Sequence, residues 1–334
     1  MMRKPLRVFA PALLIPLSWA QSPAISPVEA IHLVEAHVKN LTVTSLRLWV
    51  EKDLPVYHVE GRLGADRYQA VVDAKVARTL RIRKNAAPFY EWPGVLVVAH
   101  RGAARYAPEN TLAAFRKAIQ LGADLIEFDV RETKDGQLVV MHDETVNRTT
   151  DGRGRVSELT LDEIKKLDAG SRFGPEFQGE RVPTLDEALE VIKAGALPDL
   201  DFKAGSPEKL VAAVARRGLL GKVTLYCGDW NLLRRTLAVS SQFLIRPSVP
   251  IGLLGLPILI RELDPPIVNV DWPQFSERLV VEAHLAGRKV FLNTMGPNET
   301  EFGIARMVEA GPDYIQSDRF DLLMPMLRAR GWRR

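Results

Sequence analysis

Apolar and polar positions alternate in two different ways along this chain. Over residues 21–86 the pattern is short. Ser26 and Pro27 open a helical run in which Ile31, Val34 and Val38 recur on one face, with Pro27 suited to a first helical turn. Alternating runs follow at 43–50, 56–59, 68–72 and 79–82, and Gly61 and Gly64 are placed to turn the chain between the second and third. One helix with a small antiparallel sheet, a small α+β domain, is the simplest fold for this pattern. The stretch around Pro88 and Pro93 reads as a linker, set at 87–93.

Over 94–334, strand and helix patterns alternate to the end. Strands are predicted at 95–99, 125–131, 138–141, 197–202, 223–226, 243–245, 267–270, 290–292 and 314–316. Helix ends between them are legible. Asn110 is placed to cap a helix over 112–120, whose Leu112, Phe115 and Ile119 share a face, and Gly122 to stop it. Thr160 with Glu163 and Thr184 with Glu187 form capping-box pairs, and Gly218, Gly287 and Gly311 close further helices. This repetition predicts an α/β fold, a (β/α)8 TIM barrel in preference to an open doubly wound sheet. Nine strands compete for eight places, and the pattern alone does not say which is peripheral.

Composition changes the picture at one end. The chain has 334 residues, 46% of them apolar, enough for a large core plus a small companion domain. A basic head (Arg3, Lys4), an apolar run over 9–17 and Ser18-Trp19-Ala20 before Gln21 describe a signal peptide at 1–20, an uncleaved anchor being the alternative. The expected location is periplasmic or secreted, with no stable membrane span in the mature chain. Residues 1–20 carry three basic groups and no acid, so without them the formal charge of +4 falls to +1. Nothing in that balance points to nucleic acid. The lone Cys227 excludes an intramolecular disulfide. His32, His37 and His58 share no ligand spacing and are expected at or near the surface.

The chemistry concentrates where strands end. His100-Arg101 ends the first barrel strand, Glu127 and Asp129 share a face of the second, His142 ends the third, and Asp201 and Lys203 end the fourth. Acids at alternate positions of an apolar strand are costly to bury unless a cation compensates them. Singly, each residue has an ordinary explanation: a core histidine, a helix-capping aspartate, or Arg101 and Lys203 neutralising Glu127 and Asp201. Together they describe a site. Glu127, Asp129 and Asp201 offer an all-oxygen set suited to a divalent ion such as Ca²⁺ or Mg²⁺. Arg101 and Lys203 bring positive charge for an anionic substrate, and His100 and His142 can exchange protons near neutral pH. Such a set suits phosphodiester cleavage.

Two resemblances add to this. PVYHVEGRLGADRYQAVVDA resembles PepSY-like domains, small modules of exported proteins. HRG, PENT, GAD-x-IE-x-DV, TKDG, VVMHD and RTT-x-G-x-G within 99–156, then PTLDEAL, DFK and GPDYIQSD, resemble the glycerophosphodiester phosphodiesterase family. The resemblance implies a phospholipase C-like barrel that releases sn-glycerol 3-phosphate and an alcohol from glycerophosphodiesters. It implies His100 and His142 as the acid/base pair, Glu127 and Asp129 as metal ligands and Arg101 on phosphate. It also implies initial attack by the glycerol 2-hydroxyl and a cyclic phosphate that water opens. Three positions depart from the family pattern. Asp201 stands where Glu is usual, Cys227-Gly228 where Ser-Phe is common, and Leu292-Asn293-Thr294-Met295 where WTVN is frequent. The last departure puts Asn293 and Thr294 at the substrate, favouring a small polar alcohol. A lysophospholipase D-like activity remains as an alternative, for which residues 253–260 offer an apolar mouth although a core helix or strand is the expected use of that run, as does a non-catalytic ligand-binding module. Two proton shuttles argue against the latter.

Overall fold

The computed structural model describes residues 24–36, 38–51, 54–63, 66–75, 78–84, 95–252, 254–297 and 299–329. The chain divides into two compact units, Met1–Ala87 and Pro88–Arg334. The segment expected as a signal peptide and the linker at 87–93 lie outside the described residues.

In the first unit, α1 (Pro27–Glu35) starts at a complete capping box between Ser26 and Glu29, with Pro27 in its first turn. Strands β1 (Thr42–Glu51), β2 (Leu54–Leu63), β3 (Asp66–Asp73) and β4 (Arg78–Lys84) form an antiparallel meander in sequence order. Alternate residues Tyr57 and Val59 of β2, and Ala70 and Val72 of β3, form one buried cluster with Ala30 and Val34 of α1. The expected turn at Gly61 is corrected: Gly61 pairs with Tyr68 inside the ladder, which runs on to Leu63 and Asp66. His32 is exposed, while His37 and the His58 side chain lie outside what is described.

The second unit is a (β/α)8 barrel. In chain order it comprises β5 (Leu96–Ala99), α2 (Leu112–Leu121), β6 (Leu125–Glu132), β7 (Leu138–Val140), α3 (Leu161–Ile164), α4 (Leu185–Ile192), β8 (Leu197–Phe202) and α5 (Pro207–Arg216). There follow β9 (Thr224–Tyr226), α6 (Trp230–Val239), β10 (Leu244–Ile245), α7 (Gly255–Leu263), β11 (Ile267–Val270), α8 (Glu277–Leu285), β12 (Lys289–Asn293), α9 (Glu301–Glu309), β13 (Tyr314–Ser317) and α10 (Phe320–Ala329). Eight parallel strands run β10-β9-β8-β6-β5-β13-β12-β11. The two ends meet just past β10, where Asn269 N–H donates to Pro247 O (3.0 Å) and Val249 N–H donates to Asn269 O (2.9 Å).

All nine predicted strands exist, and the peripheral one is β7. It pairs antiparallel with the far end of β6, Val130 opposite Val140 and Glu132 opposite Leu138. The expectation that His142 ends a third barrel strand is therefore corrected. Only 133–137 separate β6 from β7, too few for a parallel crossover, so the chain turns back and carries His142 towards the barrel. The excursion to α4 has its own small core of Val139, Met141, Val146, Val156, Ile164, Ala169 and Val182.

Strand alternation sorts the barrel into layers. Ile126, Phe128 and Val130 of β6 face outward to the helices, as do Leu200 and Phe202 of β8. The inner set begins apolar, with Leu96, Val98, Leu125, Ile267, Phe291 and Tyr314 packed together. Above that plug, towards the carboxyl ends, the same inward columns turn polar. On β6 the column reads Leu125, Glu127, Asp129, and on β11 Ile267, Asn269 and then Asp271. Residues 255–263 form α7, whose Leu256 and Leu259 are buried in the outer core. Much of the 253–260 run thus packs as the core helix expected of it, while Leu254 near its start and Ile251 ahead of it are exposed.

Candidate active site

The carboxyl end of β5 sets the site's geometry. Arg101 takes a left-handed backbone conformation, φ 50°, ahead of Gly102 at φ 80°. For a residue with a Cβ that conformation costs on the order of 1–2 kcal/mol. Arg101 N–H donates to Glu127 Oε2 at 2.8 Å and Gly102 N–H donates to Glu127 O at 3.1 Å, so the bend is stitched to β6. A Cβ on Gly102 would lie 2.8–3.0 Å from Ala114 of α2, so the bend requires glycine.

The segment 108–111 supplies three supports. Thr111, not Asn110, caps α2, its hydroxyl accepting from Ala114 N–H; this corrects the expected cap. Asn110 instead clamps a site acid: its amide donates to Asp129 Oδ2 at 2.7 Å and its Oδ1 accepts from Asp129 N–H. Glu109 accepts from Arg101 at 2.8 Å and from two nitrogens of Arg148 at 2.7 Å. Burial favours its neutral form, but the hydrogen bonds from Arg148 and the Arg101 charge hold the carboxyl at about 2.

Glu127, Asp129 and Asp201 are buried, and one ligand atom from each lies within 4.8 Å of the others. Burial pushes Glu127 far above the usual carboxylate range, and Asp129 beside it adds repulsion. Burial also raises Asp201, against the pull of Lys203. Lys203 Nζ bridges the pair, 2.5 Å from Asp201 Oδ2 and 3.2 Å from Asp129 Oδ1, while Arg101 Nε stands 3.6 Å from Asp129. Asp201 Oδ1 is buried without a hydrogen-bond partner. Crowded carboxylates with one orphaned oxygen fit a hard divalent cation by donor type and by charge.

Each histidine is held from behind by a carboxylate. His100 Nδ1 meets Asp318 Oδ1 at 3.1 Å, and His142 Nδ1 meets Asp143 Oδ1 at 2.7 Å. A carboxylate only accepts, so Nδ1 carries the proton in both and Nε2 is left for the substrate. Arg148 locks Asp143 through two further contacts, at 2.8 and 3.0 Å. The two rings are tuned oppositely. For His100, burial favours the neutral form, but the Asp318 hydrogen bond and the charges of Glu127 and Asp318 outweigh it and raise the pKa. For His142, burial dominates, with Arg101 and Lys203 assisting, and the pKa falls.

His100, Arg101, Glu127, Asp129, His142, Asp201, Lys203 and Asn293 all line one cavity of about 390 Å³. Thr294 does not. It is buried, its hydroxyl bonded to Gln316 O and Glu299, which corrects its expected place at the substrate. The lining also includes Tyr226, Arg246, Asn269, Asp271 and Gln316. These were missed although a signal existed, since each is an isolated polar residue at an alternate position of a strand or at its end. The supports Glu109, Arg148 and Asp318 fall within the PENT, RTT-x-G-x-G and GPDYIQSD stretches, but the pairings Glu109–Arg148, across 39 residues, and His100–Asp318, across 218, are made only by the fold.

Residues 100–219 match the Glycerophosphoryl diester phosphodiesterase family. A "Glycerophosphodiester phosphodiesterase" of Caldanaerobacter subterraneus subsp. tengcongensis is 38% identical over 71% of this chain and 99% of its own length. A glycerophosphodiester phosphodiesterase structure from Agrobacterium tumefaciens superposes with TM-score 0.63 at 33% identity, covering 69% of this chain and 99% of that one. An Oleispira antarctica phosphodiesterase, solved with the product sn-glycerol-3-phosphate, gives TM-score 0.63 at 30% identity, over 70% of this chain and 97% of that one.

Proposed function

The chain belongs to the glycerophosphodiester phosphodiesterase family, a phosphoric diester hydrolase by class, and from that premise we propose how its barrel cleaves glycerophosphodiesters to sn-glycerol 3-phosphate and an alcohol. The observation that carries the mechanism is the convergence of two oppositely tuned His–Asp pairs and a three-carboxylate cluster on one cavity.

Arg101 and Lys203 hold the non-bridging phosphate oxygens, the guanidinium being kept in place by Glu109. Glu127, Asp129 and Asp201 hold a divalent metal ion, Ca²⁺ or Mg²⁺, which supplies positive charge to the phosphate as negative charge builds on it. His142, lowered and neutral, takes the proton from the attacking glycerol 2-hydroxyl at Nε2. His100, raised and protonated, gives a proton from Nε2 to the departing alcohol oxygen as the P–O bond breaks. The roles reverse when water opens the cyclic phosphate. Asp143 and Asp318 orient the rings from behind.

The lysophospholipase D-like alternative has less support, because α7 buries much of the apolar run it would need. We also propose that the protein is exported, on the residue pattern at 1–20; a mature chain beginning near Gln21 by terminal sequencing is expected, and an intact Met1 in a soluble cytoplasmic pool contradicts it. The functional test is hydrolysis of glycerophosphodiesters and lysophospholipids with and without Ca²⁺, Mg²⁺ and Zn²⁺. Metal-dependent release of sn-glycerol 3-phosphate is expected. Inactivity on every diester with every ion overturns the proposal.

A further inference from the structure

The two histidines are each backed by a carboxylate, but the two carboxylates are fixed by different means. Asp143 has Arg148 on both of its oxygens. Asp318 has no such cation: among the described residues its one ion pair is with His100. It is also the first residue past β13, whose last pair with β5 is Ser317 opposite Ala99, so the ladder no longer holds it. A side chain there is only as well placed as the main chain that carries it. What holds that main chain is a second carboxylate, from a different loop.

Glu299 lies between β12 and α9, directly before Thr300, the cap of α9. Its Oε1 accepts from Asp318 N–H at 2.8 Å, from the Ser317 hydroxyl at 2.6 Å and from Arg319 N–H at 3.3 Å. The Thr294 hydroxyl approaches the same oxygen at 3.0 Å. A main-chain N–H only donates and a carboxylate only accepts, so the direction of these contacts is fixed. Ser317 Oγ accepts from Arg319 N–H at 2.9 Å, and its one proton goes to Glu299. One oxygen thus ties together the residue after β12, the last residue of β13 and the two residues beyond it. Thr294 and Ser317 are buried, and buried donors left without an acceptor are costly, so this turn depends on Glu299.

We propose that Glu299 is a positioning residue for catalysis, fixing the Asp318 main chain and, through Asp318 Oδ1, aiming His100 Nε2 at the departing alcohol oxygen. The path runs from Glu299 Oε1 to Asp318 N–H at 2.8 Å, and from Asp318 Oδ1 to His100 Nδ1 at 3.1 Å. Glu299 is not among the residues that line the cavity, so it acts on the reaction only through its neighbours. The inference rests on the proposed acid role of His100 and adds what keeps that acid in place. All four contacts fall on Oε1. A glutamine keeps one carbonyl oxygen at that reach and can take them over. Alanine has no acceptor, and aspartate is one methylene short.

The test uses the full chain, with Ca²⁺ or Mg²⁺, and two diesters that differ in their need for an acid. The ethanolamine oxygen of glycerophosphoethanolamine must gain a proton as its P–O bond breaks. The p-nitrophenyl ester of glycerol 3-phosphate releases p-nitrophenolate, which departs with the electron pair and needs no proton. Single-turnover release, with enzyme in excess, reads this first step alone. In Glu299→Ala, ethanolamine release should slow on the order of tenfold to a hundredfold, the scale of a displaced reacting group. Release of p-nitrophenolate should stay within about twofold of wild type, and Glu299→Gln should recover most of the ethanolamine rate. Should Glu299→Ala not fold, Glu299→Asp carries the comparison. Equal slowing of both diesters marks a merely structural role, and that result, or an unchanged ethanolamine rate in a folded variant, overturns the proposal. The His100 Nδ1–H proton resonance, identified by its loss in His100→Ala, gives a readout without turnover. It should shift or broaden in Glu299→Ala and return in Glu299→Gln. If the wild type cleaves neither diester, the catalytic reading fails, and an unchanged resonance in Glu299→Ala then overturns the positioning as well.

Discussion

Both halves of the barrel mouth place polar side chains at alternate strand positions, and they use them in opposite ways. On β6 and β8, three buried carboxylates crowd within 4.8 Å, burial and then the Asp129 charge raise Glu127 and Asp201, and Asp201 Oδ1 is left without a partner. On β10, β11 and β12, a single carboxylate, Asp271, collects neutral donors and repels nothing. The first half is strained by charge and held in that state by supports: Asn110 on Asp129, Glu109 on Arg101, the stitched bend at Arg101. The second carries no such strain. Charge strain suits the binding and neutralisation of a phosphate, whereas directed neutral contacts suit discrimination between similar alcohols. In the proposed mechanism the chemistry falls to the first half.

The sharpest way to break this contrast is to remove charge from the first half. Exhaustive chelation is expected to abolish hydrolysis, and Glu127→Gln or Asp129→Asn to abolish metal binding in a calorimetric titration. A fully active, metal-free protein by elemental analysis would contradict it. Next in size are the histidines. His100→Ala and His142→Ala are each expected to lower kcat by about two to four orders of magnitude in a protein that stays folded. With His142 as base below its ordinary pKa and His100 as acid above its own, kcat/KM should plateau around neutral pH. Near-wild-type turnover in either variant removes that residue from the mechanism.

The difference between the halves also explains what could be read in the sequence. His100, Arg101, Glu127, Asp129 and His142 fall in one stretch whose polar residues interrupt strongly apolar strands, so their chemistry shows without a structure. Arg246 after β10, Asn269 and Asp271 at the end of β11, and Gln316 on β13 are scattered over three strands, and only barrel closure brings them together. Adjacent residues defeated local rules in the same way. Asn110 and Thr111 are equally good caps by type, and it is Asp129, 19 residues on, that claims Asn110. Asn293 and Thr294 are both polar, but strand alternation sends one into the cavity and the other towards Glu299. The hairpin at β7 was within reach, since five residues cannot make a crossover, yet strand counting alone hid it.

A smaller effect follows from the same charge strain in the absence of metal. Glu127 has a folded-state pKa above its ordinary 4.5, so the folded protein binds a proton that the unfolded chain releases. Its contribution to stability is complete below about 4.5 and is lost as pH rises through the raised value. The metal-free protein should therefore lose thermal stability between about pH 5 and 8, and Glu127→Gln should flatten that slope, as should saturating Ca²⁺ or Mg²⁺. Calorimetric melting across this range checks it. An identical slope in wild type and Glu127→Gln would mean that the acids of the first half are not strained.

The smallest effect expected is none at all, and it tests whether the two halves suffice. Every residue given a role above lies between His100 and Asp318, in the unit Pro88–Arg334, which carries its own closed sheet and buried cores. A protein beginning at Ala87 is therefore expected to fold and to hydrolyse a small soluble diester at a rate within about twofold of the full chain, since the first unit supplies none of the groups proposed to contact the transition state. Circular dichroism and kcat/KM on glycerophosphoethanolamine are the measurements. A truncated barrel that is folded but inactive would show that the contrast between two halves is incomplete and that the helix-and-meander unit supplies a third contribution to the site. Retained activity with an altered ratio between small and large substrates would instead place that unit's contribution at substrate access, leaving the division of labour within the barrel as described.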